Sequence, residues 1–109
     1  MTDTVKTLGQ LNPSATTLST LYTVPAATQT TVSSVTVCNQ SAVAGSFRLS
    51  IRVAGAADNA KQYLCYDLPI AGNDSYIATI GITLTATDVV SAYASSATMS
   101  FNLFGVEVT

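Results

Sequence analysis

Residues Phe47-Arg48-Leu49-Ser50-Ile51-Arg52-Val53 alternate without a break, every odd position apolar and every even one polar. A repeat of two is the period of a β-strand with one dry and one wet face, and a helix would scatter the same side chains around its axis. Phe47, Leu49, Ile51 and Val53 are therefore expected to point inward, with Arg48, Ser50 and Arg52 facing out.

The rest of the chain beyond Leu21 follows the same grammar. Leu21 to Val24 ends at Pro25, which suits a short edge strand because proline cannot donate to a ladder. Thr28 to Cys38 is a long Thr/Val run whose β-branched density disfavours helix. Lys61 to Leu68 places Leu64, Tyr66 and Leu68 on one face and Tyr63, Cys65 and Asp67 on the other. Gly72-Asn73-Asp74 then turns the chain into Ser75 to Leu84, where Tyr76, Ala78, Ile80, Ile82 and Leu84 share a side. Gly81 interrupts that run and marks either a contact or a bulge. Val89 to Ala94 follows, and in the last strand inward positions pass from Met99, Phe101 and Leu103 to Phe104, Val106 and Val108. That change of phase predicts a bulge near Leu103.

About seven or eight short strands joined by turn-rich connections, none long enough for a crossover helix, give antiparallel pairing. The expected fold class is all-β: an antiparallel two-sheet sandwich of jelly-roll or Greek-key type. Met1 to Ser19 holds an Asn12-Pro13-Ser14 turn signal but no sustained period. It is read as an extended N-terminal arm, residues 1–19, preceding the sandwich domain, residues 20–109. An arm that is ordered along its length is expected to be tied down by a partner chain.

With 109 residues there is one core, large enough to fold without a metal or crosslink. Only 9% of the chain is charged although 48% is apolar, so its surface must be built from Ser, Thr, Asn and Gln. Another protein can cover such a surface without stranding many desolvated charges. Four basic and six acidic residues leave a net charge of −2 and no basic cluster, which argues against nucleic acid. The start of the chain does not read as a signal segment and no run is long enough to span a membrane, so a soluble protein made in the cytosol is expected. Cys38 and Cys65 lie inside strand-like runs and are expected to be free thiols.

Catalytic chemistry finds little footing. There is no histidine to serve as base for a Ser or Cys nucleophile, and with no CxxC a zinc site is excluded. Asp58, Asp67, Asp74 and Asp88 fall at turns and strand edges, where Asp is favoured for its backbone hydrogen bonds. No enzyme, cofactor, metal or small-molecule substrate is expected. Arg48 and Arg52 share one strand face and either form a cationic stripe toward an acidic neighbour or pair with Asp67 on the next strand, the pairing being preferred. Asn39-Gln40-Ser41 and Asn73-Asp74-Ser75 match the glycosylation pattern but are read as plain turns.

The runs Leu21-Tyr22-Thr23-Val24-Pro25-Ala26, Ser34-Val35-Thr36-Val37-Cys38-Asn39, Tyr66-Asp67-Leu68-Pro69 with Asn73-Asp74, and Phe101-Asn102-Leu103-Phe104-Gly105 resemble small β-sandwich virion structural proteins of tailed bacteriophages. The resemblance spans about Thr20 to Val108. It implies a non-enzymatic capsid decoration or cement protein, often a homotrimer, located on the virion and bound to the major capsid protein. A tail, collar or fibre module that docks another virion protein or a host glycan is the alternative. Val5, Lys6, Leu8 and Leu11 of the arm, with Arg48 and Arg52 of the sandwich, are the expected partner-binding residues.

Overall fold

A computed structural model of the chain describes residues 2–109. Strand accounts for 62% of it, in eight strands. They are β1 (Asp3–Leu11), β2 (Ser19–Thr23), β3 (Gln29–Asn39), β4 (Gly45–Arg52), β5 (Tyr63–Ile70), β6 (Ser75–Leu84), β7 (Val89–Ala94) and β8 (Met99–Val108). Two four-stranded sheets pack face to face, with strand orders β1-β8-β3-β6 and β2-β7-β4-β5. Every ladder is antiparallel.

The pairings β1 with β8, β2 with β7, β3 with β6 and β4 with β5 are those of one long antiparallel hairpin folded at the β4–β5 connection. Rolling that hairpin brings β8 against β3 and β7 against β4, which makes the sandwich an eight-stranded jelly roll. Two short 3-10 turns, Val53–Gly55 and Ala60–Gln62, fill the β4–β5 connection at the fold of the hairpin. The second is capped by Asn59, whose side chain accepts from the Lys61 amide at 3.2 Å while Gln62 reaches back to the Asn59 amide at 3.0 Å.

The core lies between the sheets. Phe47, Leu49, Ala92 and Ala94 from one sheet meet Val35, Val37, Met99, Phe101 and Leu103 from the other, all buried. The Phe47 ring bridges the layers, 5.4 Å from Tyr76 and 6.0 Å, edge-on, from Phe101. The two loop ends are fastened by polar side chains. Asp88, almost fully buried, accepts from the Ala54 and Thr85 amides at 2.9 Å each. Asn39 donates to the Val43 and Ala71 carbonyls and accepts from the Ser41 amide and the Thr98 hydroxyl.

Three expectations need correction. Asp3–Leu11 is not an arm: it is strand β1, paired with β8 from Asp3 opposite Val108 to Leu11 opposite Phe101. What ties it down is the end of its own chain, and Leu8 is buried in the common core. Its period escapes the eye because the register shifts between Thr7 and Gly9, so inward residues change from even to odd partway along. Asn12 then holds the crossing to the second sheet by donating to the Met99 carbonyl at 2.6 Å.

The predicted change of phase in β8 does not occur either. Its alternation runs unbroken, with Gly105 and Glu107 continuing the inward row of Met99, Phe101 and Leu103. The irregularities fall on its neighbours, at Leu8 in β1 and between Val32 and Ser34 in β3. Glu107 points inward because a phenol and an ammonium wait for it there, while a hydrophobic reading of the strand puts Val106 and Val108 inside. Third, Val53 is 65% exposed, since the strand ends at Arg52 and Ala54 takes a positive φ of 54°. Gly81 resolves as a bulge within its own sheet: Ile80 and Gly81 together face Ser33 of β3.

Candidate functional site

On the outer face of the β2-β7-β4-β5 sheet, charged and aromatic side chains gather around Arg48. Strand alternation turns Arg48 outward, directly across from Tyr93 of β7 in the ladder. On its other side β5 is irregular: Phe47 pairs with Leu68 and Leu49 with Cys65, so Tyr66 and Asp67 together face the single residue Arg48. Asp67 reaches this geometry with φ at 51°, a conformation that Asp tolerates better than most residues.

The bulge completes a stack. The Arg48 guanidinium carbon lies 4.1 Å from the centre of the Tyr66 ring and 4.2 Å from that of Tyr93. Its Nε donates to Asp67 Oδ1 at 2.7 Å and its terminal nitrogen to Oδ2 at 3.2 Å, a bidentate fork. These bonds hold the Asp67 carboxyl below its ordinary range, and Asp67 in turn raises the Arg48 pKa further. Tyr63 extends the platform, with its ring edge-on to Tyr66 at 5.0 Å and its hydroxyl donating to Asp58 at 2.7 Å. Burial, then the bond to Asp58, pushes the Tyr63 pKa up, so the phenol stays protonated. The result is a guanidinium stacked between two rings and held by one carboxylate.

Arg52 leaves the stripe. It donates to the Ser91 hydroxyl at 3.1 Å and the Ala56 carbonyl at 3.3 Å, bracing the β4–β5 connection. The preferred pairing with Asp67 therefore holds for Arg48 and not for Arg52. Between the two arginines, the Ser50 hydroxyl is buried with no hydrogen-bond partner.

The four residues expected on an arm separate. Val5 is 82% exposed on the edge strand β1, and the Lys6 ammonium donates to Glu107 at 3.2 Å. Leu8 belongs to the core and Leu11 packs against it, so neither is available to a partner. Tyr66 and Tyr93, absent from the expected site, are its flanks. The signal for Tyr93 was its matching parity opposite Arg48, and for Tyr66 it was Asp67 itself, a residue type that can bend a strand.

Four of the six carboxylates have structural engagements. Asp58 holds Tyr63, Asp67 holds Arg48, Asp88 holds two amides and Glu107 holds Tyr22 and Lys6. Among the described residues no three His, Cys, Asp or Glu side chains gather as a metal site. Cys38 and Cys65 are free thiols, and burial pushes the Cys65 thiol up, away from the reactive thiolate.

The chain matches no protein-family model and no curated protein sequence.

A second surface lies where the sheets part. Between edge strands β5 and β6 an apolar slot of about 290 Å³ is lined by Leu49, Leu64, Tyr76, Ala78, Ile80 and Ile82, among others. Leu64 is 52% exposed at its mouth and Ile77 70% exposed on the outer side of β6.

Proposed function

We propose that the protein is a non-enzymatic virion structural protein of a tailed bacteriophage, a decoration or cement protein that binds the major capsid protein shell. The observation that carries this reading is the Arg48 stack. Tyr and Arg are the residue types that dominate binding energy at protein interfaces, above all when rigid and partly desolvated. Here Tyr66, Tyr93 and Asp67 have already immobilised the guanidinium, so a partner need not order it on binding. The low overall charge suits a surface that is covered by other protein. Jelly rolls recur among capsid and lectin domains, an analogy of fold that fits the reading without carrying it.

A cement protein gains through copy number, because modest contact at each site is multiplied over many sites on one shell. Arg48 and its tyrosines would supply the anchor, with Val5 and Lys6 on the β1 edge as further contacts. Shells stripped of the protein and incubated with purified chain test this. Wild-type chain is expected to saturate the shells, and Arg48→Ser or Tyr66→Ala to lower occupancy at least about tenfold while the fold is retained. Equal occupancy by wild-type and variants would overturn the role of this face.

A further inference from the structure

We propose that β6 is a dimerisation strand, whose free edge pairs antiparallel with β6 of a second copy of this chain about a two-fold axis at Thr79. The inference is independent of any place on a capsid.

Each sheet has two edges, and of the four β6 is the least defended. β1 carries Asp3 and Lys6, β2 is only five residues long, and β5 carries Asp67 at a bulge followed by Pro69. These are the usual devices against edge-to-edge pairing. β6 is ten residues long and has neither a charge nor a proline, SYIATIGITL, and its only such device is the bulge where Ile80 and Gly81 face Ser33. It hydrogen-bonds to β3 alone, so one row of its backbone groups is unclaimed by the sheet.

The strand complements itself. Side chains alternate strictly along it, Ser75, Ile77, Thr79, Gly81 and Thr83 outward and Tyr76, Ala78, Ile80 and Ile82 inward. Antiparallel partners must share a face, so only registers centred on a residue are allowed. Centred on Thr79, the inward pairs are Tyr76 with Ile82 and Ala78 with Ile80, apolar on apolar. On the outer face Thr79 meets its own copy, and Ile77, 70% exposed, falls opposite Gly81. A Cβ placed on Gly81 would meet nothing within 4 Å, so the space beside it is open to receive that isoleucine. A shift to an Ile80 centre would set Ile77 against Thr83 and leave Gly81 opposite Thr79. The Thr79 register also joins the apolar slots beside β6 across the axis, covering Tyr76, Ala78, Ile80 and Ile82, which one copy leaves half-buried. No charged side chain of β6 opposes another, so a second copy meets no like-charge repulsion along this edge.

The test is the mass of the full-length chain by sedimentation, from about 1 µM to about 100 µM, with hydrogen exchange of the β6 amides over the same range. A dimer is expected, with β6 amides protected at high concentration and exposed on dilution. Thr79→Lys places two ammonium groups face to face at the axis and should raise the dissociation constant at least about tenfold, whereas Thr20→Lys on the β2 edge should leave it unchanged. A chain that stays monomeric throughout overturns the proposal, as does a trimer or dimer whose β6 amides show no dependence on dilution. The exchange measurement uses wild-type protein, so it decides the matter even if a variant fails to fold.

Discussion

The Tyr22 hydroxyl donates to Glu107 Oε2 at 2.6 Å across 85 positions of sequence, joining the two sheets in the interior. Thr30 lies 2.8 Å from the same phenol oxygen, and Lys6 donates to the other carboxylate oxygen at 3.2 Å. The bond from Tyr22, assisted by Lys6, holds Glu107 below the ordinary carboxylate range against the opposing effect of burial. Burial in turn, with Glu107 adjoining, pushes the Tyr22 phenol up to about 12.

A carboxylate with a depressed folded pKa stabilises the protein above its unfolded value, near about 4.3 for Glu, and that contribution fades as pH falls through the folded pKa. Glu107→Gln should therefore cost about 1–3 kcal/mol at neutral pH, and the gap from wild type should close under acid. Thermal melts of both proteins from pH 7 downward check this. Tyr22 works in the opposite direction: its raised pKa favours the fold below about pH 10, and this contribution is lost as pH climbs toward the folded value.

Asn39 should be the most costly polar residue to remove. It is 1% exposed, and its side chain makes four hydrogen bonds within the loops at one end of the sandwich. Asn39→Leu strands two carbonyls, an amide and a hydroxyl, and should lose about 2–3 kcal/mol or more in denaturant unfolding. Asn39→Asp should fall between, because it still accepts from Ser41 and Thr98 but turns an oxygen toward the Val43 and Ala71 carbonyls.

Glycines divide by what surrounds them. Within a single copy Gly81→Ala meets open space, and at a dilution that keeps β6 edges apart it should gain about 0.4–1 kcal/mol by restricting the unfolded chain. At Gly9, Gly72 and Gly105 an added Cβ would collide with the backbone carbonyls of Leu21, Ala42 and Thr31 respectively, so alanine there should destabilise. Melting temperatures of the four variants give the sign directly.

Ser50→Ala removes a buried hydroxyl that has no partner, lying between Arg48 and Arg52 on β4. The substitution should be neutral or stabilising by up to about 1 kcal/mol. Chemical denaturation checks the sign, and shell binding should be unchanged because the Arg48 stack does not use that oxygen.

Most of the fold was legible because seven of the eight strands carry a local signal: period-two patterning in β4, β5, β6 and β8, Thr/Val density in β3, and bounding proline or turn residues at β2 and β7. β1 did not, since the irregularity at Leu8 divides its inward residues between two parities and neither half is long enough to register. β8 misled for the opposite reason: its interior row includes Gly105 and Glu107, which hydrophobicity assigns to the outside. The site was half legible. Arg48 and Asp67 could be paired from charge and strand adjacency, whereas Tyr66 joined them through the positive φ at Asp67, which that residue type permits but does not dictate.

The proposed attachment to the capsid shell is tested by the position of the chain on the particle. Gold-labelled antibody against the chain, imaged on intact virions by electron microscopy, should decorate the whole shell at regular density. Label confined to the tail or collar, or particles that carry none, would contradict the account.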